Sequence, residues 1–365
     1  MPRNINVLIA AGGTGGHLFP ALAVAEQLKI LAGKGFNAVF AGTPNRIEAE
    51  KVPALGYKFN PMPITPFRGF FSLQTYLLPF NLYKSVSICR RVIRESRIDA
   101  VICTGAYLSY PAGIAAYRSG VPLVLMESNV NPGKTIRMLA GKASLIITSF
   151  DETAAYFDGP AKGKVRRLGN PVRKDILAVP ARGESIAKLG LDPSKKTLLI
   201  FGGSLGAASI NKAAGEIIEA FDNSEWQIIW QTGKDNLSAG SLPPGVFQTK
   251  FIDDMASAYS AADLVISRSG ATTAAELCVA GRASVLVPYP SASNNEQEEN
   301  ARVLEKAGAA VLVKDSEAVR KVPELFIELN AKDGIIREMS AKAAGLAMPD
   351  AAVNSAKAVI ELISK

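Results

Sequence analysis

Val7-Leu8-Ile9-Ala10-Ala11 runs into Gly12-Gly13-Thr14-Gly15-Gly16, and Thr197-Leu198-Leu199-Ile200-Phe201 runs into Gly202-Gly203-Ser204-Leu205-Gly206. Each stretch is a short apolar run, then a Gly-Gly-hydroxyl turn, another glycine and a helix-forming segment. A strand that is apolar at successive positions has both faces covered, which marks a parallel sheet wrapped by helices. Glycine directly after such a strand lets the chain turn tightly and lets an anion approach the N–H groups of the following helix. The same signature in both halves predicts two Rossmann-like units.

Further runs extend each half. Ala38–Ala41, Ala100–Cys103, Leu123–Met126 and Leu145–Thr148 read as strands of the first, and Trp226–Trp230, Leu264–Ser267 and Ser284–Val287 as strands of the second. Ala-rich helical stretches lie between them, so the fold class is α/β with two doubly wound parallel sheets. The joint falls near Gly169-Asn170-Pro171, giving domains 1–171 and 172–349. The segment 350–365 reads as a capped helix with Val353, Ala356, Ile360 and Ile363 on one face, crossing back to the first domain. A length of 365 residues suits this division, since domains typically span about 100–200 residues.

Composition narrows the chemistry. Apolar residues make up 48% and charged residues 20%, the balance of a folded chain. No apolar run approaches the roughly 20 residues that cross a bilayer. The opening apolar run is too short for a secretory signal and flows into the glycine loop, so the chain is expected to stay in the cytosol. Cys89, Cys103 and Cys278 lie far apart without a CxxC pair, which argues against zinc and disulfides. The chain has one histidine, His17, which excludes a His-rich metal site. Lys and Arg number 41 against 33 Asp and Glu, a net +8 that favours anionic partners. With no helix-turn-helix, RNA-binding aromatic motif or zinc finger, nucleic acid is not the expected one.

The glycine loops are not those of common nucleotide folds. The dinucleotide fingerprint fails at Leu18, where its third glycine belongs, and no acid closes Val39-Phe40-Ala41-Gly42-Thr43. Asn131-Pro132-Gly133-Lys134-Thr135 ends like a P-loop, but Ser128 stands where the first glycine is required. His17 follows the first loop at the carboxyl end of a strand, where α/β active sites form. Its imidazole titrates near neutrality and could take a proton from a sugar hydroxyl, or could simply be satisfied by local hydrogen bonds. A third turn leads from Leu264–Ser267 into Arg268-Ser269-Gly270-Ala271-Thr272-Thr273-Ala274-Ala275-Glu276. The helix start there suits a diphosphate. Glu276 could accept from both hydroxyls of a ribose, or could be an ordinary solvated carboxylate.

Taken in order, Gly12-Gly13-Thr14-Gly15-Gly16-His17, Gly169-Asn170-Pro171-Val172-Arg173, Gly202-Gly203-Ser204-Leu205-Gly206-Ala207, Phe251-Ile252-Asp253-Asp254-Met255 and Ser267 to Glu276 resemble the MurG family of bacterial glycosyltransferases. The resemblance covers nearly the whole chain. It implies the GT-B architecture, two Rossmann-like domains facing across a cleft. It also implies an inverting transfer of N-acetylglucosamine (GlcNAc) from UDP-GlcNAc to the C4 hydroxyl of undecaprenyl-diphospho-muramyl-pentapeptide, the step from lipid I to lipid II in peptidoglycan synthesis.

By this resemblance Ile252 offers backbone hydrogen bonds to uracil and Glu276 holds the ribose. Ser204 and the helix start through Ala271, Thr272, Thr273, Ala274 and Ala275 meet the diphosphate side, with Arg173 nearby. Gln297 reads the GlcNAc hydroxyls, Asn129 contacts a sugar, and the loop of Thr14, Gly15 and Gly16 faces acceptor and donor. His17 is the candidate base and Glu127 the alternative. No Asp-x-Asp occurs in the chain, so helix N-termini and Arg173, rather than a metal, are expected to stabilise the departing UDP, and no cofactor is expected. The chain departs from the family pattern at Glu127-Ser128-Asn129, where Glu-Gln-Asn is usual, and at Glu296-Gln297, where His-Gln is frequent. A third departure is Gly105-Ala106-Tyr107, where Gly-Gly-Tyr is usual. Rival readings are a UDP-GlcNAc epimerase, a transferase to another lipid acceptor, or a non-catalytic nucleotide-sugar sensor.

Eight aromatics fall between Tyr57 and Tyr83, among them Phe67, Phe70, Phe71 and Phe80, with Leu77 beside them and Lys84, Arg90, Arg91, Arg94 and Arg97 following. Such a stretch can be a core helix with a basic face, or an interfacial patch that sets aromatics at the acyl boundary and cations on anionic headgroups. A lipid-borne acceptor favours the second. The expected location is therefore the cytoplasmic face of the inner membrane, with cell-wall or division proteins as further partners.

Overall fold

The computed structural model describes residues 4–66, 73–233, 242–332 and 334–364. The chain divides into two compact units, 1–173 with 349–365, and 174–348. The first unit carries β1 (Ile5–Ala10), α1 (Gly15–Ala32), β2 (Phe36–Gly42), α2 (Ile47–Ala54), β3 (Lys58–Pro61), α3 (Leu73–Tyr76), α4 (Leu78–Glu95), β4 (Ala100–Cys103), α5 (Ser109–Arg118), β5 (Leu123–Glu127), α6 (Lys134–Ala140), β6 (Leu145–Thr148) and β7 (Val165–Arg167). The second carries α7 (Lys174–Leu177), α8 (Arg182–Leu189), β8 (Lys196–Phe201), α9 (Ala208–Glu219), β9 (Trp226–Gln231), β10 (Val246–Thr249), α10 (Met255–Ala261), β11 (Leu264–Ser267), α11 (Ala271–Ala280), β12 (Ala283–Leu286), α12 (Glu296–Lys306), β13 (Ala310–Leu312), α13 (Ala318–Ala331) and α14 (Ile335–Gly345). α15 (Ala351–Ser364) closes the first unit.

Both sheets are wholly parallel, in the orders β3-β2-β1-β4-β5-β6-β7 and β10-β9-β8-β11-β12-β13. In the first unit alternate residues of one strand serve opposite cores. Leu8, Ala10, Val39 and Val101 join Cys89 of α4, Ala112 of α5 and Leu139 of α6. Their neighbours Val7, Ile9, Phe40 and Ile102 join Leu18 and Val24 of α1 and Val359 of α15. That is why these strands read as unbroken apolar runs rather than as alternating ones.

The nine strands expected from the sequence are all present, with ends shifted by no more than two residues. Four more were not foreseen: β3, β7, β10 and β13. All four are edge strands. Lys58-Phe59-Asn60-Pro61 and Val165-Arg166-Arg167 contain no fully buried residue, so the two-faced apolar pattern never forms there. The helical face of α15 also differs from the expected one. Val359 is buried with Ala352, Ser355, Ala356 and Ile363, whereas Val353 and Ile360 are only half-buried. The helix packs along α1, whose small Ala21 and Ala25 admit it closely.

Candidate functional site

In the first unit the glycine loop joins β1 to α1, and His17 stands in the first turn of that helix. Its Nδ1 lies 2.7 Å from the Thr104 carbonyl oxygen, at the end of the adjacent strand β4. A carbonyl can only accept, so Nδ1 carries the proton and Nε2 keeps its lone pair. Burial disfavours the imidazolium and lowers the pKa from its ordinary 6.5, although the carbonyl hydrogen bond works in the opposite direction. The ring is therefore neutral near pH 7 with a basic Nε2. Gly105 follows at φ +95°, and a Cβ there would stand 3.3 Å from His17 Cε1, so glycine leaves room for the ring. Ala106 follows at φ +54°, a left-handed conformation that strains a residue with a Cβ.

Sequence reading missed the residue that shapes the loop. Glu48 of α2 is almost wholly buried and accepts from Gly13 N at 2.9 Å, Thr43 N at 2.9 Å and Thr43 Oγ1 at 2.7 Å. A Cβ on Gly12 would overlap its carboxyl carbon, and one on Gly42 would press on its Cγ at 2.6 Å. The carboxylate thus occupies one N–H of the first glycine loop as an internal anion. In the sequence it looks like an acid in a first helical turn, placed there to complement the helix dipole.

Glu127, the alternative base, ends β5 as a buried side chain. Its oxygens accept from Asn129 N at 2.9 Å, Asn129 Nδ2 at 3.3 Å and Gly133 N at 2.9 Å, so it holds the turn that presents Asn129. Ser128 donates to Asn170 Oδ1 at 3.1 Å, which ties this turn to the Gly169-Asn170-Pro171 segment. Thr14 is the exposed N-cap of α1, and no side-chain cap bond satisfies that helix start, which includes Gly15 and Gly16. Arg173 is half-buried at the end of the first unit.

The second unit is built differently. Gly203 and Gly206 of its loop have φ of +90° and +78°, and Gly233 packs backbone to backbone on Gly206. Gly203, Ser204 and Leu205 donate no backbone hydrogen bond among the described residues, and Leu205 is 78% exposed. No side chain caps α11 either, so the N–H groups from Ala271 to Thr273 stay open, with Ala274 and Ala275 behind them in the same helix. Glu276 is buried on this helix and accepts from Tyr259 Oη at 3.1 Å, so it is not a solvated helix carboxylate. Ile252 N–H is already engaged: it donates to Gln231 Oε1 at 2.8 Å, and Gln231 Nε2 donates to the Gly203 carbonyl at 2.9 Å. One buried amide therefore links the Ile252 turn to the glycine loop. Gln297 Oε1 accepts from Tyr289 N at 3.0 Å, and its carbonyl accepts from Ser269 Oγ at 2.8 Å. Arg268 reaches the Val287 and Pro288 carbonyls at 3.0 Å and Asp315 at 2.5 Å, joining three loops at the carboxyl edge of the sheet.

Comparison with known proteins accounts for both glycine-loop units. Residues 7–148 match the glycosyltransferase family 28 N-terminal domain, and residues 197–355 match its C-terminal domain. The chain belongs to glycosyltransferase family 28. A Bacteroides fragilis protein described as UDP-N-acetylglucosamine–N-acetylmuramyl-(pentapeptide) pyrophosphoryl-undecaprenol N-acetylglucosamine transferase is 38% identical, with 98% of this chain and 96% of that relative covered. A Christiangramia forsetii protein of the same description is 34% identical over 100% of this chain and 99% of its own length. Among solved structures, Acinetobacter baumannii MurG has a TM-score of 0.78 at 29% identity, covering 98% of this chain and 99% of that one. The chain is thus of the MurG type within family 28, and two α/β parallel-sheet units are the GT-B domains of that family. No group of three or more His, Cys, Asp or Glu side chains able to hold a metal occurs among the described residues.

Two measurements check this family 28 site. The single histidine gives unambiguous imidazole ¹⁵N signals, expected to show the Nδ1–H tautomer and a pKa below 6.5; an Nε2–H tautomer would contradict the Thr104 contact. Ala106→Gly, which restores the family's glycine at a left-handed position, is expected to raise stability by about 0.5–1 kcal/mol in a denaturant titration.

Proposed function

We propose that this chain transfers GlcNAc from UDP-GlcNAc to the C4 hydroxyl of undecaprenyl-diphospho-N-acetylmuramyl-pentapeptide, inverting the anomeric centre. The observation that carries the reading is His17, the chain's one imidazole, held neutral with Nε2 available on a full-length MurG-type scaffold. Nε2 takes the hydroxyl proton as the oxygen forms its bond to the anomeric carbon. The bond from that carbon to the UDP oxygen breaks on the opposite side, and its electron pair leaves with the diphosphate. The open N–H groups at Ser204 and Leu205 and at the start of α11 supply positive potential for that charge, and Arg173 adds its guanidinium. Glu276 supplies carboxylate oxygens for the ribose hydroxyls, Gln297 its amide for the sugar, and Asn129 its side chain on the acceptor unit. Uracil meets the Ile252 carbonyl directly, whereas use of its N–H requires Gln231 to yield. Glu127 acts as the brace of the Asn129 turn rather than as the base.

The reading includes attachment to an anionic membrane surface on the cytoplasmic side. Phe67, Phe70 and Phe71 lie outside the described residues. Within them, Leu77 is 50% and Phe80 64% exposed at the start of α4, Tyr76 and Tyr83 are more exposed still, and Lys84 is exposed beside them. Arg90, Arg91, Arg94 and Arg118 then line a groove of about 560 Å³, and none of the four makes an ion pair among the described residues. Apolar rings followed by unneutralised cations suit an acyl boundary under anionic headgroups. No helix among the described residues is long and apolar enough to cross a membrane.

The direct test is transfer of labelled GlcNAc from UDP-GlcNAc into the lipid-linked muramyl-pentapeptide, without added metal. Label is expected in the lipid fraction with release of UDP, and His17→Ala should lower kcat by roughly 10²–10⁴-fold. Donor binding without transfer would favour a sensor, and near-normal turnover of the variant would remove His17 from the role. In a second experiment, Leu77→Ser with Phe80→Ser should release the protein from anionic vesicles in sedimentation, and unchanged co-sedimentation would refute the patch.

A further inference from the structure

A cavity of about 410 Å³ opens at the carboxyl edge of the first sheet, beyond the ends of β2 and β3 and beside the turn after β4. Its polar wall includes Asn45, Arg46 and Tyr107, and its apolar wall includes the half-buried Pro63 and Pro66 beside the buried Met62 and Ile64. Arg46 is exposed and makes no ion pair among the described residues. Thr65 also lines the cavity, and its hydroxyl is buried without a hydrogen-bond partner among the described residues. The volume lies within the ~300–1,000 Å³ of small-ligand sites, and an apolar wall with a few polar groups is their usual make-up. None of these residues belongs to the roles assigned above.

The cavity adjoins the reacting group through the chain itself. Thr104 holds the imidazole of His17 and Gly105 packs on it, while Tyr107, two residues further, lines the cavity. Glu48, which shapes the glycine loop, bonds Thr43 on the cavity's other flank. The chemistry of the acceptor calls for a peptide site near the attacking hydroxyl. Muramic acid carries its peptide through the oxygen on C3, the carbon next to the attacking C4 hydroxyl. When that hydroxyl sits at His17 Nε2, the first residues of the peptide must lie beside the imidazole.

We infer that this cavity receives the peptide arm of the acceptor, with Arg46 pairing a carboxylate of that arm and Pro63 and Pro66 packing its apolar parts. A guanidinium without a counter-ion matches a carboxylate in charge and in fork geometry. The inference rests on the proposed acceptor and names the part of this chain that recognises its peptide.

The test compares two lipid-diphospho-muramyl acceptors, one with and one without the pentapeptide, in Arg46→Gln. The wild type should prefer the peptide-bearing acceptor in kcat/KM, and the variant should lose that preference by at least tenfold through KM, with donor KM unchanged. An equal effect on both acceptors, or on neither, overturns the inference. A second arm needs no turnover: soluble N-acetylmuramyl-pentapeptide is titrated while the His17 imidazole resonance is followed. Arg46→Gln should weaken this binding at least tenfold, while N-acetylmuramic acid alone should bind both proteins alike. Peptide binding that persists unchanged in the variant overturns the role of Arg46 even if the chain proves to transfer to a different lipid.

Discussion

The reversal of strand order beside one central strand organises each unit. β1 lies between β2 and β4, and β8 between β9 and β11, so successive crossovers leave these strands in opposite directions. Helices following the two neighbours then part, and a crevice forms at the carboxyl ends of the strands. Because every strand is parallel, all the loops that carry chemistry emerge at that edge. His17, Thr104, Glu127 and Asn129 share it in the first unit; Ser204, Gln231, Arg268 and the start of α11 share it in the second.

Two crevices of one design are filled in opposite ways. In the first unit the protein supplies its own carboxylate: Glu48 takes the Gly13 N–H and fills the space above Gly12. The Gly13 N–H is thereby committed to the protein itself rather than left to a ligand. In the second unit the equivalent position is braced from below by a neutral amide, Gln231, through the carbonyl of Gly203, which leaves the loop's N–H groups outward. The two loops therefore differ in what fills them, although they share one sequence motif.

This asymmetry explains what could be read from the sequence and what could not. Inner strands and glycine turns were legible because their patterns are local: apolar at consecutive positions, then residues that tolerate positive φ. Edge strands such as β3 and β7 were not, since an edge has too little cover to enforce the pattern. His17 stood out by residue type and place in the chain, and Glu276 only through the family resemblance. Glu48, Gln231 and Arg268 did not, because each acts on a backbone group many residues away that only the fold brings near. Gly12 and Gly42 show the same limit: they read as turn residues, whereas the structure ties both to the space taken by one carboxylate.

The same reasoning bears on how His17 would act in the proposed role. An imidazole exposed to water near neutral pH is partly protonated and rotates among partners. Burial disfavours the imidazolium, which keeps Nε2 free of a proton near neutrality but makes it a weaker base than a solvated imidazole. The Thr104 carbonyl offsets part of that loss, since it stabilises the imidazolium as the proton arrives. It also fixes the ring's tautomer, so in the proposed role the ring would need no reorientation at the moment of transfer. The strain at Ala106 is a by-product of this arrangement: the chain must turn sharply after Thr104 to aim its carbonyl at the ring, and this protein makes the turn with an alanine in left-handed backbone.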